Sequence, residues 1–137
     1  MLKLENIVAG YGHITALKDV SLEVPQGSVV SLIGANGAGK TTTMKTIMGL
    51  VKPNSGRVIF ESQDITGRQT HQIVHGGISL VPEGRQILQD MSVYENLEMG
   101  AYIRKDKEIE EDIKKVLAQM GKFTPEDELN CGACGYN

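Results

Sequence analysis

Gly34-Ala35-Asn36-Gly37-Ala38-Gly39-Lys40-Thr41 is the stretch that decides how the rest of the chain is interpreted. It matches G-x-x-x-x-G-K-[ST], the phosphate-binding P-loop. The glycines of this loop let backbone N–H groups turn toward phosphate oxygens, and the N-terminus of the following helix adds positive potential. Lys40 is expected to reach the β- and γ-phosphates, and the Thr41 hydroxyl to ligate Mg²⁺. The stretch therefore predicts a site for a nucleoside triphosphate with Mg²⁺.

A P-loop lies between a strand and a helix, and the flanking sequence predicts both. Residues 29–33 form a short, mostly apolar and β-branched run, typical of a strand buried on both faces of a parallel sheet. Beyond the loop, apolar residues recur at helical spacing from Met44 to Val51, and Pro53 limits the helix. The alternative, a glycine-rich turn that happens to precede Lys-Thr, leaves this order of elements unexplained.

Size and composition narrow the class of protein. The 137 residues suffice for one domain with a core, and 40% hydrophobic and 23% charged residues are ordinary for a soluble globular protein. A formal net charge of −3 predicts no nucleic-acid partner. No apolar run reaches the length of a membrane span, so we expect any membrane association to be through a partner. Both cysteines fall near the C-terminus, so no disulfide framework is expected and a reducing cytoplasm is the default.

The remaining pattern predicts a mixed α/β chain. Alternating or continuous apolar residues predict strands over residues 1–8, 16–24, 57–60 and 78–81, and helical spacing predicts helices over residues 71–75, 92–103 and 105–120. Ser92 and Glu95 have the spacing of a capping box. Two Glu-to-Lys pairs four residues apart, Glu110 with Lys114 and Glu111 with Lys115, predict a solvated face on the last helix.

Several stretches besides the P-loop are similar to one family. They are Tyr11-Gly12, residues 17–24, residues 34–42, the run Gly49-Leu50-Val51-Lys52-Pro53-Asn54-Ser55-Gly56, residues 81–85 and residues 93–97. The chain resembles the ATP-binding subunits of ABC transporters, and within them the branched-chain amino acid importer branch. The resemblance covers residues 1–117, and residues 118–137 form a divergent tail that we expect to be poorly ordered.

The resemblance implies a fold, a cofactor and partners. The fold is an α/β P-loop NTPase fold with an antiparallel β subdomain at the N-terminus and the start of a helical subdomain, here incomplete. ATP and Mg²⁺ would be the cofactors. The partners would be a second ATP-binding subunit in a head-to-tail dimer and a membrane permease, with no direct membrane insertion. The location would be cytoplasmic, peripheral at the inner face of the cell membrane.

The resemblance also suggests roles for single residues. Tyr11 would stack on adenine, the alternative being a turn tyrosine packed on the surface. Glu83 stands where most of the family has glutamine, in the loop that senses the γ-phosphate, where it would ligate Mg²⁺ or orient water; the alternative is an ordinary loop acid. The phosphate and Mg²⁺ contacts would come from Gly34, Asn36, Gly37, Ala38, Gly39, Lys40, Thr41 and Thr42.

Three segments that the family uses for hydrolysis are absent from the sequence. It contains no Leu-Ser-Gly-Gly, no Asp-Glu after four apolar residues, and no histidine after His75. Hydrolysis by this chain alone is therefore doubtful, and a non-catalytic nucleotide-binding fragment or a non-functional truncation product is the alternative. We also expect the strand before the P-loop to lack neighbours and to expose apolar surface. A soluble ABC protein without a permease stays open, while the Pro-x-Ser-Gly run argues against a GTPase or a small-molecule kinase.

Two cysteine and histidine patterns are weak candidates for metal sites. Cys131 and Cys134 form a lone C-x-x-C, and zinc would need two further ligands. His71 and His75 share a helix face, but no glutamate follows His71 as zincins require. We interpret the first pair as part of a functionless tail and the second as surface histidines.

Overall fold

The computed structural model describes residues 1–84 and 86–121. These residues divide into two compact units, one spanning Met1–Val81 and the other starting at Pro82. The first unit holds strands β1 Leu2–Tyr11, β2 Ile14–Val24, β3 Ser55–Phe60 and β4 Gln63–Asp64, and helices α1 Lys40–Ile47 and α2 Thr70–His75. The second holds α3 Val93–Gly100 and α4 Ile109–Gln119. The antiparallel N-terminal sheet and the start of a helical part agree with the predicted fold class.

The four strands form one antiparallel sheet in the order β2-β1-β3-β4. Three of them correspond to predicted strands, and β1 continues to Tyr11, beyond the predicted end at Val8. The short β4 was not predicted, because two polar residues carry no alternating pattern. The extra length of β1 matters for the site, since it places Tyr11 at the tip of the β1–β2 hairpin.

The β1–β2 pair contains a bulge that changes which residues face the core. Leu4 and Ile7 are both fully buried although they are three residues apart, and the register shifts between them. Asn6 between them has φ 51°, and Asp19 on β2 has φ 59°. Asn6 Nδ2 donates to Asp19 Oδ1 at 2.8 Å. Asparagine and aspartate tolerate this left-handed backbone best among residues with a Cβ. The register between β1 and β2 therefore shifts at this point in both strands.

The core of the first unit lies between the sheet and helices α1 and α2. Its buried members come from the strands, from the end of α1, from α2 and from the segments that follow α1 and β4: Leu4, Ile7, Ala9, Leu17, Ile47, Met48, Val51, Val58, Ile65 and Ile73. Of the four apolar positions that predicted α1, Met44 is exposed, while Ile47, Met48 and Val51 are buried. The buried apolar residues therefore begin only at the end of α1, whereas its first turn buries Thr42 and Thr43.

The predicted strands at residues 29–33 and 78–81 are not strands in the structure. Val29 is 96% exposed and Ile33 is 91% exposed. An apolar, β-branched sequence favours an extended strand, but a ladder also needs a neighbouring strand on at least one side. Within the described residues no strand pairs with either run. The run before the P-loop exposes apolar side chains as expected, but the strand predicted there, buried on both faces, is not formed.

The second unit confirms the predicted capping box. Glu95 N–H donates to Ser92 Oγ at 3.2 Å, and Ser92 N–H donates to Glu95 Oε2 at 2.8 Å. Helix α3 ends at Gly100, before the predicted Ile103, and α4 starts at Ile109, after the predicted Lys105. Asp106 explains the later start, because its carboxylate accepts from the Arg104 guanidinium at 2.7 Å and from Glu108 N–H at 3.0 Å, which holds the chain in a turn.

Helix α4 packs as its sequence pattern predicts. Ile113 and Leu117 are buried, whereas Val116 and Met120, which the helical spacing also places on the apolar face, are exposed. The two predicted ion pairs are present, with Lys114 Nζ 2.8 Å from Glu110 Oε1 and Lys115 Nζ 3.1 Å from Glu111 Oε1. Because all four groups are exposed, each pair contributes little to the stability of the helix. In the described residues no helix has both the length and the apolar character needed to cross a bilayer.

The capping box predicts a pH dependence for the second unit. The Ser92 backbone N–H, and after it the Ser92 hydroxyl, hold the pKa of the Glu95 carboxyl below its ordinary value. A lowered pKa means that the ionised form stabilises the helix above the ordinary value of about 4.3 and that this contribution is lost as the pH falls through the lowered pKa. We expect Glu95→Gln to reduce the loss of α3 helicity between about pH 5 and pH 2, followed by circular dichroism. Glu98→Gln removes a carboxylate from the same helix and should leave that acid transition as it is; an unchanged transition in Glu95→Gln would contradict the assignment.

Candidate nucleotide-binding site

The β1–β2 hairpin supports the P-loop directly. A Cβ built on Gly39 would lie 2.7 Å from Leu17 Cδ2 and 3.2 Å from Ala16 O. Leu17 is 2% exposed and belongs to the core. The last glycine of the loop thus rests on β2 with no room for a side chain, and the position of the loop is fixed by the core beneath it.

The loop backbone adopts a conformation that its glycines allow. Gly37 has φ 85° and Gly39 has φ 92°, a region that residues with a Cβ avoid. Helix α1 begins immediately afterwards at Lys40, with Gly39 as N-cap and no side-chain cap. The first turn of α1 therefore presents its backbone donors without a protein side chain in front of them.

Backbone donors along the loop are available to a ligand. Within the described residues, the N–H groups of Gly37, Gly39 and Lys40 donate to no other group, whereas Ala38 N–H donates to Ala35 O at 3.1 Å. A row of unpaired N–H groups next to a helix N-terminus is an anion-binding arrangement. These donors fit the oxygens of a polyphosphate.

Lys40 folds back over the loop that it follows. Its Nζ donates to Gly34 O at 2.6 Å and to Ala35 O at 2.7 Å. An ammonium has three donors, so these two carbonyls leave one for a phosphate oxygen. The two contacts keep the positive charge beside the free N–H groups rather than extended into solvent.

The threonines after Lys40 divide between solvent and core. Thr41 is exposed, so its hydroxyl is accessible to a cation held by phosphate. Thr42 is buried, and its carbonyl accepts from the Thr46 hydroxyl at 2.8 Å. Thr43 is also buried, with its hydroxyl donating to Gly39 O at 3.0 Å. Of the two threonines predicted at the site, Thr41 has the exposure that the Mg²⁺ role requires, and Thr42 offers chiefly its backbone N–H.

Tyr11 lies at the end of β1, on the same hairpin that supports the loop. It pairs with Ile14 across the turn, and its side chain is 47% exposed. Lys45 of α1 places its Nζ 5.9 Å from the centroid of the Tyr11 ring. The structure therefore brings the predicted base-stacking tyrosine next to the helix that carries the phosphate-binding residues. The loop positions Gly34, Asn36 and Ala38 are exposed.

Glu83 belongs to the second unit, where it is exposed in the bend that precedes α3. Asn96 of α3 fixes a later part of this loop: its side-chain oxygen accepts from Leu88 N–H at 2.9 Å, and its amide donates to Leu88 O at 3.0 Å. Sequence reasoning missed this role of Asn96, because a single asparagine in a helix has no distinguishing pattern. The role of Glu83 stays a prediction.

The metal patterns set aside from the sequence remain without support. No group of three or more metal-ligating side chains occurs among the described residues. His75 Nδ1 lies 3.0 Å from His71 O, so that ring interacts with its own helix backbone. Cys131 and Cys134 lie outside the described residues.

Comparison with known proteins decides the family. A family model described as ABC transporter matches residues 17–130. The chain belongs to the ABC transporter family.

Relatives of similar sequence are ATP-binding proteins of ABC transporters. A branched-chain amino acid transport ATP-binding protein, BraG of Pseudomonas aeruginosa, is 36% identical over 132 residues, which cover 96% of this chain and 57% of that relative. LivG of Methanocaldococcus jannaschii, described as a probable protein of the same kind, is 42% identical over 100 residues, covering 73% of this chain and 39% of LivG.

ATP-binding proteins of ABC transporters described as handling other cargoes are also similar. The lipopolysaccharide export system ATP-binding protein LptB of Haemophilus influenzae is 38% identical over 106 residues, which cover 77% of this chain and 44% of LptB. Among solved structures, an ABC transporter ATP-binding cassette in its ADP conformation has a TM-score of 0.78 at 34% identity, with 96% of this chain and 59% of that one covered. The chain thus spans between 39% and 59% of the length of these ABC proteins.

Proposed function

We propose that this chain binds MgATP as part of the ATP-binding subunit of an ABC importer. The observation that carries the proposal is the P-loop of residues 34–41, with its unpaired N–H groups and Lys40 held beside them. Free N–H donors, a helix N-terminus and one remaining ammonium donor suit the β- and γ-phosphates. Thr41 ligates the Mg²⁺ through its hydroxyl, and Tyr11 stacks on adenine.

The remaining proposed site residues receive their roles from their positions in the family's sequence pattern. Glu83 is proposed to ligate Mg²⁺ or to orient water, because it stands where most of the family has the glutamine of the loop that senses the γ-phosphate. Backbone contacts to the triphosphate come from Gly34, Asn36, Gly37, Ala38, Gly39 and Thr42.

A second ATP-binding subunit is the proposed partner. A solved relative at 26% identity and TM-score 0.76 is described as dimeric in a post-hydrolysis state bound to ADP and Pi, which supports this partner.

Branched-chain amino acids are the proposed cargo of the complete transporter. BraG and LivG support this choice, while LptB, and MglA of Clostridium perfringens at 32% identity over 130 residues, favour lipopolysaccharide export or galactoside import. A chimera of BraG that carries residues 1–117 of this chain in the matching positions tests the choice. Restored leucine uptake in cells lacking BraG supports it, and a folded chimera that fails while a LivG chimera works would contradict it.

The second candidate function is nucleotide binding without catalysis. Hydrolysis needs an activated water and stabilisation of the transition-state charge in addition to a phosphate cradle. The sequence has neither Leu-Ser-Gly-Gly nor an Asp-Glu after an apolar run. The observation that favours this function is that the given residues, which cover 57% of the length of BraG, supply a phosphate cradle but neither of these two segments.

Calorimetry and a phosphate-release assay on the purified 137-residue chain test both functions together. We expect MgATP to bind, to bind more weakly when EDTA removes Mg²⁺, and to release phosphate no faster than in the absence of the chain. Binding that does not respond to EDTA would contradict the Mg²⁺ role of Thr41. Phosphate release that exceeds the background and disappears in Lys40→Ala would show that the chain is a complete ATPase.

A further inference from the structure

Lys45 is a charged residue near the site that the P-loop pattern does not include. It lies on α1, five positions after Lys40, and its Nζ lies 5.9 Å from the centroid of the Tyr11 ring. The ion pairs of the described residues are formed by other cations, namely Lys3, Arg57, Arg104, Lys114 and Lys115. Among the described residues, the face of the Tyr11 ring is an interaction that engages this charge.

The core places this pair where it is. Leu17 of β2 fixes Gly39, so the start of α1 has a defined distance from the β1–β2 hairpin. Tyr11 ends β1 at the tip of that hairpin, opposite Ile14. The second turn of α1, which carries Lys45, consequently passes the ring of Tyr11. The approach follows from the packing that also positions the P-loop, so the ring and the phosphate-binding loop share one support.

A cation within about 6 Å of a ring centroid is attracted to the negative face of the ring. The ammonium restrains the tilt of the half-exposed Tyr11 ring from the α1 side and leaves its remaining surface open. A ring held in one orientation loses less conformational entropy when a flat base stacks on it. The positive charge also draws electron density from the ring, which favours an offset stack with an electron-rich purine.

We propose that Lys45 is a positioning residue, which holds the ring of Tyr11 in the orientation that stacks on the base of the bound nucleotide. The inference rests on the proposed function and deepens it, since it assigns a specific part of the affinity to the base rather than to the phosphates. The inference requires that the contribution of Lys45 to the binding affinity depend on the ring of Tyr11 and on the presence of a base in the ligand.

A double-mutant cycle with two ligands tests both requirements. The variants are Tyr11→Leu, Lys45→Met and the double variant, and the ligands are MgATP and magnesium tripolyphosphate, which has no base. We expect Lys45→Met to weaken MgATP binding about two- to fivefold in the presence of Tyr11 and by much less when residue 11 is leucine. Binding of tripolyphosphate should be the same in all four proteins. Lys45→Arg, which keeps a cation over the ring, should bind MgATP like the wild type.

A matched control separates this role from the general effect of charge. Lys52→Met removes the same charge from an exposed position after α1 and should leave binding of both ligands unchanged. Equal weakening of ATP and tripolyphosphate by Lys45→Met would overturn the inference in favour of a phosphate contact. Additive effects of the two substitutions would also overturn it, as would MgATP binding that Lys45→Met leaves unchanged.

The outcome for the wild type distinguishes failure of this inference from failure of the proposed function. If the wild type binds neither ligand, the nucleotide site itself is wrong and the inference is overturned with it. If the wild type binds both ligands and the cycle shows no coupling, only the role of Lys45 is wrong.

An NMR measurement detects the Lys45–Tyr11 pair in the free protein without any ligand. We expect a ring-current shift on the Lys45 side-chain methylene protons that is lost in Tyr11→Leu.

Discussion

Lys40→Ala is expected to abolish measurable MgATP binding by this chain. Lys40 is the charged donor held within the P-loop, with its Nζ 2.6 Å from Gly34 O and 2.7 Å from Ala35 O. A hydrogen bond to a charged group contributes about 1.5–3 kcal/mol, so its loss alone weakens binding by about one to two orders of magnitude. The substitution also removes the contacts that draw two loop carbonyls together, which adds to the loss. Calorimetric titration of MgATP into both proteins measures the difference.

The control for Lys40→Ala must separate loss of the site from loss of the fold. Lys40 is partly exposed and contributes no atoms to the buried core, so the β-sheet signal in circular dichroism should be retained. Lys52→Ala removes a lysine with no contact to the loop carbonyls and should bind MgATP normally. Equal affinities in the wild type and in a folded Lys40→Ala would show that the nucleotide, if bound, is bound elsewhere.

Leu17→Ala is expected to have the largest effect on stability among single substitutions near the site. Leu17 is 2% exposed, and truncation of a buried leucine costs about 2–5 kcal/mol. The free energy of unfolding of a domain is about 5–15 kcal/mol, so this is a large share of it. Leu17 also supports Gly39, and its loss should weaken MgATP binding in the molecules that remain folded. Urea denaturation gives the stability, and titration under native conditions gives the affinity.

Leu4→Ala is the matched control for Leu17→Ala. Leu4 is 0% exposed and belongs to the same core cluster, but it makes no close approach to the P-loop glycines. The two variants should lose comparable stability, while only Leu17→Ala loses affinity beyond what its unfolded fraction explains. If neither alanine variant folds, Leu17→Val and Leu4→Val make the same comparison with smaller cavities. Equal affinities in the two folded variants would show that the hairpin does not set the geometry of the loop.

Local sequence signals predicted much of the fold because their partners lie nearby in the chain. The Ser92–Glu95 capping box and the two ion pairs of α4 are interactions within one or two helical turns, and all are present. The prediction of a strand at residues 29–33 was wrong. A strand forms only beside a neighbouring strand, whereas the sequence pattern indicates only the propensity of the run itself. The bulge at Asn6 and Asp19 could have been suspected, since Leu4 and Ile7 break the alternation at a residue that tolerates positive φ.

The sequence predicted which residues form the site but not the contacts that hold them in place. The P-loop pattern identifies Gly37, Gly39 and Lys40 because backbone geometry and charge at fixed spacing are written into it. The packing of Gly39 on Leu17 and the approach of Lys45 to Tyr11 join residues that are distant in sequence. Such contacts depend on how the hairpin lies against α1, which no local pattern specifies.

The central claim is that the free backbone N–H groups of Gly37, Gly39 and Lys40 bind the phosphates of MgATP. The most direct measurement is a two-dimensional amide NMR spectrum of the chain with and without MgATP, with the resonances of these residues assigned. We predict that the amide signals of Gly37, Gly39 and Lys40 shift on addition of MgATP, that magnesium tripolyphosphate shifts them as well, and that Lys40→Ala abolishes both effects. Saturable shifts that spare these three amides and occur elsewhere on the chain, or no shifts at ligand concentrations that saturate the BraG protein, would contradict it.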